Sequence, residues 1–144
     1  MRAYDRARRL SRAEWWALLE AWIGLLAAGL ALRLLPFSRA ERLFAPRCPA
    51  RPDLGEPDPV LVARLVWASR AAARRHFLPL RCLPRALCLR WLLGRHGIRT
   101  ELRIGVNKRR GDLAAHAWVE HRGRPVGEDG DVADRFAVLG ASAH

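Results

Sequence analysis

The sequence predicts an α+β domain in which the helices come first and an antiparallel sheet follows. Three observations carry that expectation. Apolar residues recur at helical spacing through "SRAEWWALLEAWIGLLAAGLALRLL" and again through "VLVARLVWASRAAARRH". After Gly97 the period changes to two in "TELRIGV" and "LAAHAWVEH". With 144 residues, half of them apolar, the chain is long enough for one domain with its own core and is no disordered basic tail. Helices followed by strands is an α+β layout.

Taken in order, the first helix opens with Ser11 as a cap and Glu14 three residues on, the pattern of a capping box. Pro36 ends or breaks it. A short helix follows in "SRAERLF", with Ser38 as its expected cap. Five prolines in "APRCPARPDLGEPDP" read as a linker. The expected organisation is a helical amino-terminal extension over 1–47, a proline-rich linker over 48–59 and a core over 60–144, without internal repeats.

The core begins with the helix from Val60, and "HFLPLR" connects it to the next. That helix starts near Leu83, with Pro84 in the first turn, where a missing N–H costs nothing. It runs to about His96 and stops at Gly97. In the first strand Leu102, Ile104 and Val106 share one face, while Glu101, Arg103 and Gly105 share the other. In the second, Ala115, Ala117 and Val119 oppose His116, Trp118 and Glu120. "NKRRGD" and "RGRP" read as turns, "VGEDGD" as a strand end or loop, and "VADRFAVL" as a last short helix.

The net charge is +12, and Lys108 is the only lysine. Arginine in such excess suits acidic partners, nucleic acid or a membrane surface, and equally a GC-rich coding bias. The basic helices lack interleaved aromatics at strand positions, so no nucleic-acid partner is expected. Neither GxGxxG nor a Walker motif occurs. Three cysteines without CxxC, and no secretory signal, point to reduced thiols in the cytoplasm. In "AWIGLLAAGLALRLLPF" the uncharged run covers only positions 21–32, short of the roughly 20 residues of a span. Trp15, Trp16 and Trp22 lie near its start, as at a membrane interface. A helix buried in the protein or docked on a partner is the first reading, a membrane-surface helix the second and a span the third.

Two of the cysteines lie in "LPLRCLPRALCLRWLLGRHGI". On a wheel of about 100° per residue, Cys82 stands over Ala86, Leu89 and Leu93, and Cys88 over Arg81, Arg85 and Arg95. Cys82 sits at the helix start, where unpaired N–H groups and the dipole favour a thiolate and can hold an oxyanion. Cys88, in the helix interior, reads as packing. A lone cysteine is more often a buried apolar side chain than a reagent, so Cys82 needs a base and an orienting group. Of five histidines, His144 is terminal, His76 and His96 lie beside arginine-rich helices, and His121 borders a turn. His116 is mid-strand among alanines. The turn "RGRP" brings the chain back beside it, so Glu128 or Asp129 can reach its imidazole; the competing reading makes these ordinary loop carboxylates. Cys48, Cys82 and Cys88 form no zinc knuckle and no HxxxH occurs, so no metal is expected.

In order and spacing, "RCLPRALCLRWLLGRHGI", "ELRIGV" and "AHAWVEHRGRPVGE" resemble the transglutaminase-like cysteine proteases of lasso-peptide biosynthesis. These leader peptidases work beside a leader-binding protein and an ATP-dependent cyclase. The resemblance covers roughly 60–139, and the helical part ending in "LRLLPF" is similar in character. It implies a transglutaminase-like, papain-like core with Cys82 as nucleophile and His116 as base. The family's third residue is commonly aspartate twelve positions after the histidine; here Glu128 stands there, with Asp129 next. It further implies a cytoplasmic peptidase that cuts the leader from a ribosomally made precursor without a cofactor. Some members carry a fused leader-recognition module, and nothing in the first part resembles one. A split system is therefore expected, with the apolar, tryptophan-bearing first helix as the docking surface for the leader-binding protein or the cyclase. A non-catalytic peptide-binding scaffold is the alternative reading.

Overall fold

The computed structural model describes residues 10–45, 55–78, 80–109, 112–128 and 130–139. Helix α1 (Arg12–Leu34) starts as its first residues require. The Ser11 hydroxyl accepts the Glu14 N–H at 3.2 Å, and the Glu14 carboxylate accepts the Ser11 N–H at 2.7 Å. Both halves of the capping box are closed. The helix stops at Leu35, before Pro36.

Helix α2 (Phe37–Leu43) corrects one expectation, because Ser38 lies inside it and caps nothing. Pro36 is the cap residue: its carbonyl takes the N–H groups of Arg39 and Ala40 at 3.0 and 3.1 Å. The expected linker falls largely on positions 46–54, outside the described residues. Where the description resumes, Asp58 caps helix α3 (Pro59–Arg74) by accepting the Val60 N–H at 2.9 Å.

Helix α4 (Cys82–Arg95) begins at Cys82 itself. It ends at Gly97, whose φ of 78° is the left-handed conformation glycine tolerates. The Gly97 N–H bonds to Gly94 O and the Ile98 N–H to Leu93 O, each at 3.0 Å. This pair of bonds is a Schellman stop.

The core lies where α1, α3 and α4 meet. Ala17, Ala21 and Leu25 of α1 share one buried cluster with Leu65 and Ala68 of α3 and with Cys88, Leu92 and Leu93 of α4. The segment expected as an extension therefore packs into the same core as the helices that follow it. Gly24 marks the closest approach: a Cβ there would lie 2.9 Å from the Cys88 sulfur and 3.1 Å from the Trp91 ring.

That contact corrects the placing of Cys88. It shares a side of α4 with Arg95, as the wheel gives, yet that side faces α1 and is no arginine-lined surface. Arg95 reaches across to Glu20 of α1 at 3.2 Å, and Cys88 below is fully buried. Its thiol donates to Ala21 O at 3.4 Å.

The sheet is antiparallel, in the order β3-β2-β1-β4. Strand β1 (Glu101–Arg109) pairs with β2 (Asp112–His121) from Glu101↔Glu120 to Arg109↔Asp112. "NKRRGD" is thus mostly ladder, and its two middle positions, 110 and 111, lie outside the described residues; the pairing with Leu113 and Ala114 carries the strands past the polar residues. The next turn is short, with Arg122 and Gly123 at φ of 49° and 77° before β3 (Arg124–Val126). Two successive left-handed residues match the twist of a hairpin.

The last segment divides. Helix α5 (Val132–Arg135) takes its first half, and β4 (Ala137–Val138) takes part of the second. The free edge of β1 recruits it through Gly105↔Val138 and Val106↔Ala137, overriding the local helical pattern.

Overpacking at the α1–α4 contact should be costly. Gly24→Val is expected to lower unfolding free energy by about 2 kcal/mol, read as a lower urea midpoint with an unchanged slope.

Candidate active site

Cys82 is the first residue of α4 and is partly exposed. Arg81 precedes it as cap and offers no side-chain hydrogen bond. No side chain at the cap therefore competes for the first-turn N–H groups. They and the helix dipole remain for a thiolate or an oxyanion beside the sulfur.

His116 lies on β2, opposite Gly105 of β1. Its ring stacks on Trp118, with centroids 5.9 Å apart, and meets Phe136 at 5.2 Å. Gly105 leaves room for this cluster. A Cβ there would lie 2.7 Å from Phe136 Cβ and 2.9 Å from the Trp118 ring. A glycine inside a strand is weak for the sheet and marks such a close approach.

Trp118 is held in turn. It is buried, and its indole N–H donates to Glu120 at 3.0 Å. The other oxygen of Glu120 accepts the Arg103 Nε–H at 3.1 Å, and Arg103 also reaches Glu101 at 2.7 Å. A buried carboxylate is tolerated only with its oxygens satisfied, as these are.

Glu128 lies beside the imidazole, its Oε1 3.3 Å from His116 Nε2. It arrives on a loop shaped by Gly127, whose φ is 72°. The Arg70 guanidinium of α3 donates to the Gly127 carbonyl. A Cβ at Gly127 would touch Val66 of α3 at 3.1 Å and Leu89 of α4 at 3.6 Å. The loop is therefore pinned against two helices, and Glu128 projects from the pinned end. Asp129, the other carboxylate expected within reach of the imidazole, lies outside the described residues.

The structure thus brings two of the three expected site residues together and places the third on the neighbouring layer. Helix α4 packs on β2. Among the described residues, no hydrogen bond joins the Cys82 sulfur to His116, and His116 Nδ1 has no hydrogen-bond partner. With Nε2 facing Glu128, Nδ1 is the ring nitrogen left for a thiol.

The other candidates have structural surroundings. His76 accepts the Leu78 N–H at 3.2 Å and packs against Trp22 at 4.9 Å. His121 Nδ1 lies 2.6 Å from the Arg99 carbonyl. Burial pushes the Cys88 thiol from its ordinary 9.0 up to about 12.

Arg70, Gly105 and Phe136 join the site only in the folded chain. Of these, Gly105 alone leaves a local signal in the sequence, as a glycine inside an alternating strand.

A model of the Transglutaminase-like superfamily matches residues 22–141, from within α1 to beyond β4. No curated protein and no solved structure matches the chain.

The two helix cysteines should separate cleanly. In native protein near neutral pH, iodoacetamide is expected to alkylate Cys82 and to leave Cys88 unmodified until denaturant is added, as read by peptide mass mapping. Cys88 should also leave an alkaline signature. The unfolded thiol ionises near 9.0 and the buried one only near 12, so between these values the folded state binds more protons. Stability should then fall with rising pH, by at most about 1.4 kcal/mol per unit, and Cys88→Ala should flatten that slope in denaturation series above about pH 9.

Proposed function

The chain belongs to the transglutaminase-like superfamily, which includes cysteine peptidases, and we propose that it is a cysteine peptidase that removes the leader from a lasso-peptide precursor. The observation that carries the peptidase reading is the His116–Glu128 pair, 3.3 Å apart, with His116 on the strand against which the Cys82 helix packs and Glu128 on the loop after β3. The substrate class rests on the resemblance of the motifs around Cys82, His116 and Glu128.

The chemistry follows from the named atoms. His116 Nδ1 takes the Cys82 proton, and the sulfur attacks the carbonyl at the leader–core junction. A C–S bond forms, and the oxyanion rests on N–H groups of the first turn of α4. His116 then gives its proton to the departing core amine as the C–N bond breaks. Water, deprotonated by the same nitrogen, hydrolyses the acyl-enzyme and releases the leader with a free carboxylate.

Glu128 holds the imidazole by Nε2 and favours the imidazolium that forms twice in each cycle. Its longer side chain takes the place aspartate commonly has in the family. Arg70 acts one step further out, by fixing the loop that presents Glu128. A separate leader-binding protein delivers the precursor, and the freed core amine passes to a cyclase.

The test is mass spectrometry of a precursor incubated with this protein and its leader-binding partner. Cys82→Ala and His116→Ala should abolish leader release, while Cys88→Ala should preserve it. Glu128→Gln should lower kcat on the order of 10²-fold or more. Release by Cys82→Ala would overturn the assignment; precursor binding by the wild-type chain without any cleavage would favour the scaffold reading. Arg70→Ala is expected to reduce kcat about tenfold with KM nearly unchanged, and Arg70→Lys to recover part of the loss.

A further inference from the structure

The outer face of α1 is as apolar as the inner one. Between Trp15 and Leu30 the exposed residues are Trp15, Trp16, Leu19, Ile23, Ala27 and Leu30, none polar. Trp16 is 65% exposed, and Leu34, further along the same face, is 77% exposed. At about 100° per residue, this stripe is centred about 160° from the Ala17, Ala21 and Ala28 face. At about 1.5 Å per residue it runs about 27 Å from Trp16 to Leu34. An uncovered apolar stripe of that length marks an interaction surface.

The charges around it say what covers it. The acidic side chains of α1 and α2 are engaged: Glu14 in the cap, Glu20 with Arg95 at 3.2 Å and Glu41 with Arg90 at 3.5 Å. Among the described residues, no ion pair holds Arg12 at the start of the stripe, Arg33 near its end or Arg39 on α2. Trp15 and Trp16 lie at the amino-terminal end, where they and Arg12, with Trp22 from mid-helix, line an apolar notch.

An apolar face with cations at both ends and tryptophans at one complements a layer that is apolar inside and negatively charged at its boundary. We propose that α1 lies in the plane of an anionic lipid bilayer surface, its outer face in the acyl boundary and its arginines among the headgroups. The inner face stays in the protein core, so the helix binds the surface and does not cross it. The inference rests on the exposed face of α1 and is independent of the peptidase reading.

The test mixes the full chain with vesicles of phosphatidylcholine alone or with about a third phosphatidylglycerol. Binding is read by co-sedimentation and by tryptophan emission. At least about tenfold stronger partitioning onto the anionic vesicles is expected, weakening as salt is added. Ile23→Glu should abolish it with helicity unchanged by circular dichroism. The pair Arg12→Glu and Arg33→Glu should remove the preference for anionic lipid. Equal partitioning on both vesicle types, or none on either, overturns the proposal. So does a dimer or an acidic protein complex that Ile23→Glu disrupts while vesicle binding persists. Leader release by Ile23→Glu in lipid-free solution is measured alongside, so a failure of surface binding is distinguished from a failure of the peptidase.

Discussion

Everything that positions the site depends on α4 being gripped from two sides. On one side α1 approaches so closely that Gly24 leaves room only for the Cys88 sulfur and the Trp91 ring. On the other, Leu89 and Leu93 belong to the same buried cluster as Val119 of β2. The small residues Ala17, Ala21, Gly24 and Ala28 along α1 permit the first approach. Burial strengthens that grip more than charge does. Each fully buried leucine, such as Leu92 or Leu93, contributes about 1.5–3 kcal/mol. The Arg95–Glu20 pair, with half the arginine side chain in solvent, contributes about 0–1 kcal/mol. The ion pair follows the packing and does not direct it.

The sheet carries a second constraint, around His116 on β2. The imidazole is held by rings, and the rings are held by Gly105 and by Glu120. Two glutamates close to the site have different tasks because their surroundings differ. Glu120 is buried, with one oxygen on the Trp118 indole and the other on Arg103. Removing either partner would leave a buried acceptor unpaired, at a cost of about 1–3 kcal/mol or more. Glu128 is a third exposed and aims one oxygen at His116. The first glutamate is part of the frame; the second is free to respond to the charge on an imidazole.

The parts legible in the sequence depend on neighbours a few residues apart. Ser11 with Glu14, Gly97 as a helix stop, and the switch to alternation at Glu101 are of this kind. Ser38 misleads even at that range, because the Pro36 carbonyl already serves the first helical N–H groups. The environment of Cys88 is not legible in α4 alone, since a wheel shows which residues share a side and not what meets it. Strand β4 is hidden for the same reason: its partner Gly105 is more than thirty residues earlier. At the site, His116 and Glu128 are legible through a hairpin that returns the chain on itself. Arg70 is not, because 57 residues separate it from the carbonyl it holds.

A helix apolar all round is ordinarily buried in protein or surrounded by lipid, and α1 divides its circumference between water and core. Its length and composition suffice to cross a membrane. Crossing would require α1 to leave α3 and α4. Leu65, Leu92 and Leu93, now almost fully buried, would then lose their cover at about 1.5–3 kcal/mol each, and Cys88 would lose its acceptor at Ala21. Lying in the plane of a surface requires no such loss, because the outer face is already separate from the core. The same helix can therefore complete the core beneath Cys82 and present an apolar face to a second phase. The two roles are compatible only because their residues lie on opposite sides of one cylinder.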